Sequence, residues 1–162
     1  MSIAVYPGSF DPITCGHLDI IKRCLLIYDK VIVGVLCNSA KKPMFNAEER
    51  VELIKKALGD VKNCEIKAFD GLLVDFVRQE KADVIVRGLR AITDFEYEFQ
   101  MALLNKRLCP EVETLFMVTS TDYSYVSSSI VKELATLDGD FSRLVPDEIL
   151  DNIKQKITEG RK

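Results

Sequence analysis

The side chains in this sequence best suited to chemistry are those that hold anions. The lone histidine, His17, closes the run Tyr6-Pro7-Gly8-Ser9-Phe10-Asp11-Pro12-Ile13-Thr14-Cys15-Gly16-His17, which leads from an apolar segment into an amphipathic one. Gly16 lets a phosphate approach the backbone closely, and the amides of a helix start, backed by the helix dipole, favour negative charge. Ser127-Ser128-Ser129 places hydroxyls ahead of a second amphipathic run, where the same dipole applies. Arg87 and Arg90 bracket Gly88-Leu89 directly after a short apolar run, and arginine carries a planar donor fork matched to phosphate. Lys41 and Lys42 stand before Pro43 in a basic stretch. Together these types can position a polyphosphate and neutralise charge that develops on it. The run 6–17 has neither the G-x-x-x-x-G-K-S/T spacing of a P-loop nor the G-x-G-x-x-G of a dinucleotide site.

Strands alternating with helices must carry these groups. Apolar runs at 3–6, 30–36, 64–69, 84–86 and 114–118 read as buried strands, the form taken by strands covered on both faces. Helical spacing follows from His17 onward, with Leu18, Ile20, Ile21, Cys24 and Leu25. It recurs at 46–58 behind an Asn46/Glu49 capping box, at 72–80, at 94–108, from Ile130 to Leu137, and at 146–157. This alternation implies right-handed crossovers and a doubly wound parallel sheet. In such sheets ligands bind beyond the carboxyl ends of the strands. The polar clusters 8–17, 38–42, 87–90 and 119–129 each follow an expected strand, so they share one rim.

The 162 residues suit one domain spanning 1–162, without internal repeat or linker. A net charge of −3 speaks against a nucleic-acid partner, and no apolar run approaches the ~20 residues of a membrane span. Five cysteines, at 15, 24, 37, 64 and 109, are odd in number and lack a C-x-x-C pair. They read as reduced thiols of a cytoplasmic protein, and a single histidine excludes a His-rich metal site. On the residues alone Glu98 is an exposed helical carboxylate. Tyr123 and Tyr125 either pack or flank a base, and the clusters Leu72, Leu73 and Phe76, and Met101, Leu103 and Leu104, serve the core or a subunit contact.

Thr14-Cys15-Gly16-His17 matches the T/H-x-G-H signature of nucleotidylyl transferases, and the whole chain resembles the bacterial phosphopantetheine adenylyltransferase family. The matching segments are YPGSFDPITCGH at 6–17, KKPMF at 41–45, EERV at 48–51, RGLRAITDFEYEFQMA at 87–102 and SSSIVKE at 127–133. The resemblance implies a Rossmann-like α/β fold, a doubly wound parallel five-stranded sheet with helices on both faces and C-terminal helices. It implies reversible transfer of AMP from ATP to 4′-phosphopantetheine, giving dephospho-coenzyme A and pyrophosphate, with Mg2+. By position, Ser9, Lys41, Leu73 and Arg87 would contact phosphopantetheine. Ser9, Phe10, His17, Gly88, Leu89, Arg90, Glu98, Tyr123, Ser124, Tyr125, Val126, Ser127, Ser128 and Ser129 would contact ATP. His17 would stabilise the transition state, with Lys41 and Arg90 beside it. A homohexamer inhibited by coenzyme A is also implied.

Departures from the family pattern are Ser9 where many members carry Thr, Cys15 where Asn is common, and Tyr123 where some carry Trp. A phosphate monoester with a second pKa near ~6 is largely dianionic at neutral pH, so the nucleophile needs no general base and direct in-line displacement is expected. A transferase for another acceptor and a nucleotide-binding regulator without turnover are the rival expectations. A redox flavoprotein has only the α/β pattern in its favour.

Overall fold

Val31, Ile32, Val33 and Val35 are fully buried, each contributing about 1.5–3 kcal/mol of hydrophobic stabilisation, and the strand they form lies inside the sheet. The computed structural model describes residues 1–37, 42–90 and 92–160. Strands β1 (Ile3–Gly8), β2 (Lys30–Leu36), β3 (Cys64–Phe69), β4 (Val84–Leu89) and β5 (Glu113–Val118) form an all-parallel sheet in the order β3-β2-β1-β4-β5. Helices α1 (Cys15–Ile27), α2 (Ala47–Leu58), α3 (Leu73–Gln79), α4 (Ile92–Leu108), α5 (Ser128–Thr136) and α6 (Leu150–Gly160) surround it, with short 3-10 turns at Thr121–Tyr123 and Asp147–Ile149. This is the expected Rossmann-like, doubly wound architecture.

The two-residue period of the strands divides the core. Ala4, Tyr6, Val31, Val33, Val84 and Val86 pack with α1, α2, α5 and α6, while Val5, Ile32 and Ile85 face Val74, Phe76 and Val77 of α3. On α3, Phe76, Val77 and also Val74 are buried, and Leu73 packs against their cluster from its margin.

Strand order reverses between β1 and β4, and there the ladder opens. β1 pairs with β2 from Ile3↔Lys30 to Gly8↔Val35, but with β4 only at Ala4↔Val84 and Val5↔Ile85. Pro7 lies just beyond that opening. It has no N–H to give to a ladder, so its position in a central strand agrees with the parting of β1 from β4. β4 meanwhile continues alongside β5 through Leu89↔Val118. Arg87 and Gly88 are therefore strand residues, not the loop that the apolar run 84–86 implied. The remaining differences are at ends: α4 begins at Ile92, and Pro146 caps a 3-10 turn that precedes α6.

Candidate active site

The β1–α1 connection is folded around one ring. Thr14 caps α1: its Oγ1 accepts from the His17 amide at 3.3 Å, and the Thr14 amide donates to His17 Nδ1 at 3.1 Å. Histidine thus takes the place that Glu or Gln holds in the usual capping box. Because an amide can only donate, Nδ1 is an acceptor and the proton of the neutral ring sits on Nε2. Burial pushes the His17 pKa down to about 4, and the Arg90 and Arg87 cations push the same way. The ring is neutral at pH 7.

Phe10 stands edge-on to His17, with centroids 5.0 Å apart, and edge-on to Tyr6 at 5.4 Å. It is buried with φ of 47°, a left-handed conformation that a bulky residue adopts only where its surroundings enforce it. Gly8 leaves the room that the ring needs, since a Cβ there would lie 3.0 Å from it.

Hydrogen bonds from distant elements fix the same loop. The buried Asp11 carboxylate accepts from the Met44 and Phe45 amides, each at 2.9 Å, and pairs with Lys132 of α5 at 3.1 Å. Arg50 of α2, also buried, donates to Ser9 O at 2.7 Å, Leu36 O at 3.0 Å and Asn46 O at 3.3 Å. Ser128 Oγ donates to Pro12 O at 2.8 Å, which brings the start of α5 against the start of α1. Ser127 caps α5 by accepting from the Ile130 amide.

On the β4 side, Arg87 is gripped by Glu98 at two points, Nε to Oε2 and Nη2 to Oε1, both 2.6 Å, and its Nη1 donates to Pro7 O at 2.8 Å. This last bond spans the gap where β1 and β4 separate. Burial opposes the Arg87 charge, but the Glu98 carboxylate outweighs it and holds the guanidinium above its ordinary pKa. Arg90 Nη1 donates to Val126 O at 3.0 Å, tying β4 to the approach of α5.

Between these walls lies a cavity of about 480 Å³, at the end of the sheet where β1 and β4 diverge. Ser9, Phe10, His17, Arg87, Gly88, Arg90, Glu98, Val126, Ser127, Ser128 and Ser129 all line it, joined by Tyr6, Thr14, Gly16, Tyr97 and Thr119. Two helix N-termini, both side-chain capped, open onto it. Leu73, Leu89, Tyr123, Ser124 and Tyr125 are not in its lining. Tyr123 lies behind Gly16, where a Cβ would be 3.5 Å from it. Ser124 Oγ donates back to Thr121 O, and Tyr125 is exposed. Lys41 lies outside the described residues. Among the described residues no three His, Cys, Asp or Glu side chains converge as a metal site.

Sequence reasoning missed Asp11, Arg50 and Lys132. Arg50 left a signal: it shares the stripe of Leu53, Ile54 and Ala57, a position that faces the core. For Asp11 the chain offers none, because its amide partners lie more than thirty residues away.

A family model described as cytidylyltransferase-like matches residues 5–134. The chain is 58% identical to the phosphopantetheine adenylyltransferase of Clostridium perfringens, covering 99% of this chain and 98% of the relative. It is 58% identical to that of Clostridium tetani, with coverages of 96% and 98%, and 53% identical to that of Caldanaerobacter subterraneus, with 99% and 100%. A solved structure of a presumed nicotinate-nucleotide adenylyltransferase from Vibrio parahaemolyticus superposes with a TM-score of 0.66 at 17% identity, covering 96% of each chain. That likeness bears on the fold alone. With the T-x-G-H capping box at the mouth of the cavity and near-complete matches above half identity, the chain belongs to the phosphopantetheine adenylyltransferase family of nucleotidyltransferases.

Proposed function

We propose that this protein transfers AMP from ATP to 4′-phosphopantetheine, forming dephospho-coenzyme A and pyrophosphate, by direct in-line displacement. The observation that carries it is the meeting of two capped helix N-termini and a neutral, Nε2-protonated His17 on one cavity. Such a ring donates a hydrogen bond without adding a charge that would trap the product. Its Nε2–H would meet a non-bridging oxygen of the α-phosphate, where charge grows in the transition state. Arg90 and the amides at the start of α5 would take the β- and γ-phosphates. Ser9, Lys41 and Arg87 would hold the acceptor phosphate in line, and the dianion needs no base. No covalent nucleotidyl-enzyme forms.

Glu98 is the carboxylate of the cavity wall, and both of its oxygens are engaged by Arg87. That donor set fits a Mg2+ that arrives on the triphosphate and keeps its waters, with the chain supplying at most hydroxyl oxygens such as that of Ser129. When bound, the ion would screen the phosphate charges. Its requirement is tested by adding a chelator to the assay.

A homohexamer in the cytoplasm, with coenzyme A as a product-like inhibitor, completes the proposal. Support for self-assembly comes from Phe95, Phe99, Leu103, Leu104 and Leu108 of α4 and from Leu115 and Val118 of β5, large apolar side chains left exposed. Five free cysteines suit a reducing compartment, and no helix among the described residues is long and apolar enough to cross a membrane. The test of function is pyrophosphate release from ATP and Mg2+ with and without 4′-phosphopantetheine. Release only with the acceptor, with dephospho-coenzyme A as co-product, is expected. ATP binding without release would make the protein a nucleotide-binding regulator or a transferase for another acceptor.

A further inference from the structure

Tyr6 is a buried titratable group that the proposed chemistry leaves unused. It is the first residue of β1 beyond the last rung shared with β4, Val5↔Ile85, and it belongs to the half of the core that packs with α1 and α5. The residue is 5% exposed, its ring edge-on to Phe10 and tilted against His17 with centroids 6.5 Å apart. Phenylalanine would make the same ring contacts, so packing accounts for the ring and not for its hydroxyl.

That hydroxyl has no hydrogen-bond partner among the described residues. Burying a polar group without a partner costs stability, and such groups are nearly always paired. Among the described residues no side-chain oxygen or nitrogen sealed from solvent is left unpaired, so the phenol oxygen is not sealed; it opens on the cavity that Tyr6 lines. It reaches across the gap between β1 and β4, to 3.4 Å from where a Cβ on Gly88 would stand, and glycine leaves that approach open. Burial holds the phenol well above its ordinary pKa, against the pull of Arg87 and Arg90. Tyr6 is thus a second neutral donor beside His17, in the field of two cations suited to phosphate.

Strand parity separates the two substrates. Tyr6 and Gly88 lie on the α1 side of the sheet, with His17 and the capped helix start. Arg87, assigned to the acceptor phosphate, shares the parity of Ile85 and turns to the face packed by α3.

We propose, building on the assignment of ATP to this cavity, that the Tyr6 hydroxyl is a further nucleotide contact, donating a hydrogen bond to a phosphate oxygen of ATP at the gap between β1 and β4. The ligand supplies the partner that the folded chain withholds.

The test is Tyr6→Phe, which removes one oxygen and keeps the ring. Calorimetry with ATP and Mg2+, without acceptor, should show binding about 3- to 20-fold weaker than wild type. The KM for 4′-phosphopantetheine should change less than about 2-fold, and adenosine, which carries no phosphate, should bind wild type and variant alike. The ligand-free variant should melt no lower than wild type, because the oxygen it loses has no partner in the protein. A merely structural hydroxyl would give the reverse, a lower Tm with ATP binding intact.

A lowered Tm in the ligand-free variant, or ATP binding within about 2-fold of wild type, overturns the inference. A raised acceptor KM with unchanged ATP binding gives the hydroxyl to the other substrate and overturns it too. Equal weakening of adenosine and ATP puts the contact on the nucleoside and refutes the phosphate assignment. Wild type that binds ATP but releases no pyrophosphate sinks the proposed reaction alone, since the ATP calorimetry still decides the role of Tyr6; wild type that fails to bind ATP sinks both.

Discussion

The wall of the cavity formed by the β1–α1 loop is tied down by side chains of α2 and α5, whereas the wall formed by β4 and α4 is held by the β5 ladder, the Arg87–Glu98 pair and single bonds to Pro7 O and Val126 O, and its helix leaves large apolar side chains exposed. On the first wall, Ser9, Asp11, Pro12 and Thr14 each have a partner from another element or from the helix cap, and Phe10 packs against Tyr6 and His17 in the space that Gly8 leaves. On the second, Arg87 and Glu98 hold each other, while Leu103 and Leu104 further along the same helix are 57% and 53% exposed. The contrast teaches that the first wall is set by folding of the single chain. The second wall backs onto a helix that leaves large apolar side chains exposed, which a second copy would cover in the proposed assembly.

The largest expected effect comes from the first wall. His17→Ala should lower kcat by about 10²–10³, or roughly 3–4 kcal/mol, with ATP affinity changed far less; equal losses in both would make His17 a binding group and dissolve its distinction from the cations opposite. Next is Arg50→Met, which leaves the Ser9 and Leu36 carbonyls without their buried donor. It should cost about 2–4 kcal/mol of stability, seen as a fall in Tm of roughly 5–15 °C. A Tm within a degree of wild type would mean that the first wall is not held by the core in the way its contacts imply. Smaller still, Leu104→Glu should reduce the assembled mass in sedimentation and lower kcat/KM a few-fold, since the second wall carries groups proposed for both substrates. An unchanged mass with unchanged kinetics would erase the contrast between the walls.

The sheet and most of the first wall were legible in the sequence because strand burial, helix spacing and the T-x-G-H cap are local patterns. The order of the strands, with β1 beside β4, follows from the crossovers only once the sheet is complete. Arg87 reads as a rim residue because Val84-Ile85-Val86 looks like a strand that stops, but pairing with β5 carries that strand on through Leu89. Glu98 carried no signal of its own, since a carboxylate in a charged helical turn looks solvated until a guanidinium eleven residues back meets it. Arg50 is legible as a charged residue on an apolar stripe, whereas the carbonyls of Ser9 and Leu36 that it serves lie on other elements. Leu103 and Leu104 read equally well as core or as subunit contact, and only the packing shows that this chain's own core leaves them uncovered.

The smallest effect is also the one that couples the two walls. His17 has an ordinary pKa of 6.5 and a folded value of about 4, so between these values the unfolded chain binds a proton that the folded protein refuses. Its contribution to stability is therefore complete above pH 6.5, shrinks as the pH falls towards 4, and changes no further below that. His17→Asn keeps an acceptor near the Nδ1 position and cannot titrate. The Tm difference between wild type and this variant should narrow by a few degrees from pH 7 to pH 4.5, and parallel curves would mean that the ring is not held neutral. After burial, the causes of the low value are Arg90 and Arg87, both on the opposite wall. Removing one of those cations, as in Arg90→Gln, should raise the His17 pKa, compress the window from below and flatten the Tm difference. An unchanged window would leave burial as the whole cause, and the first wall electrostatically independent of the second.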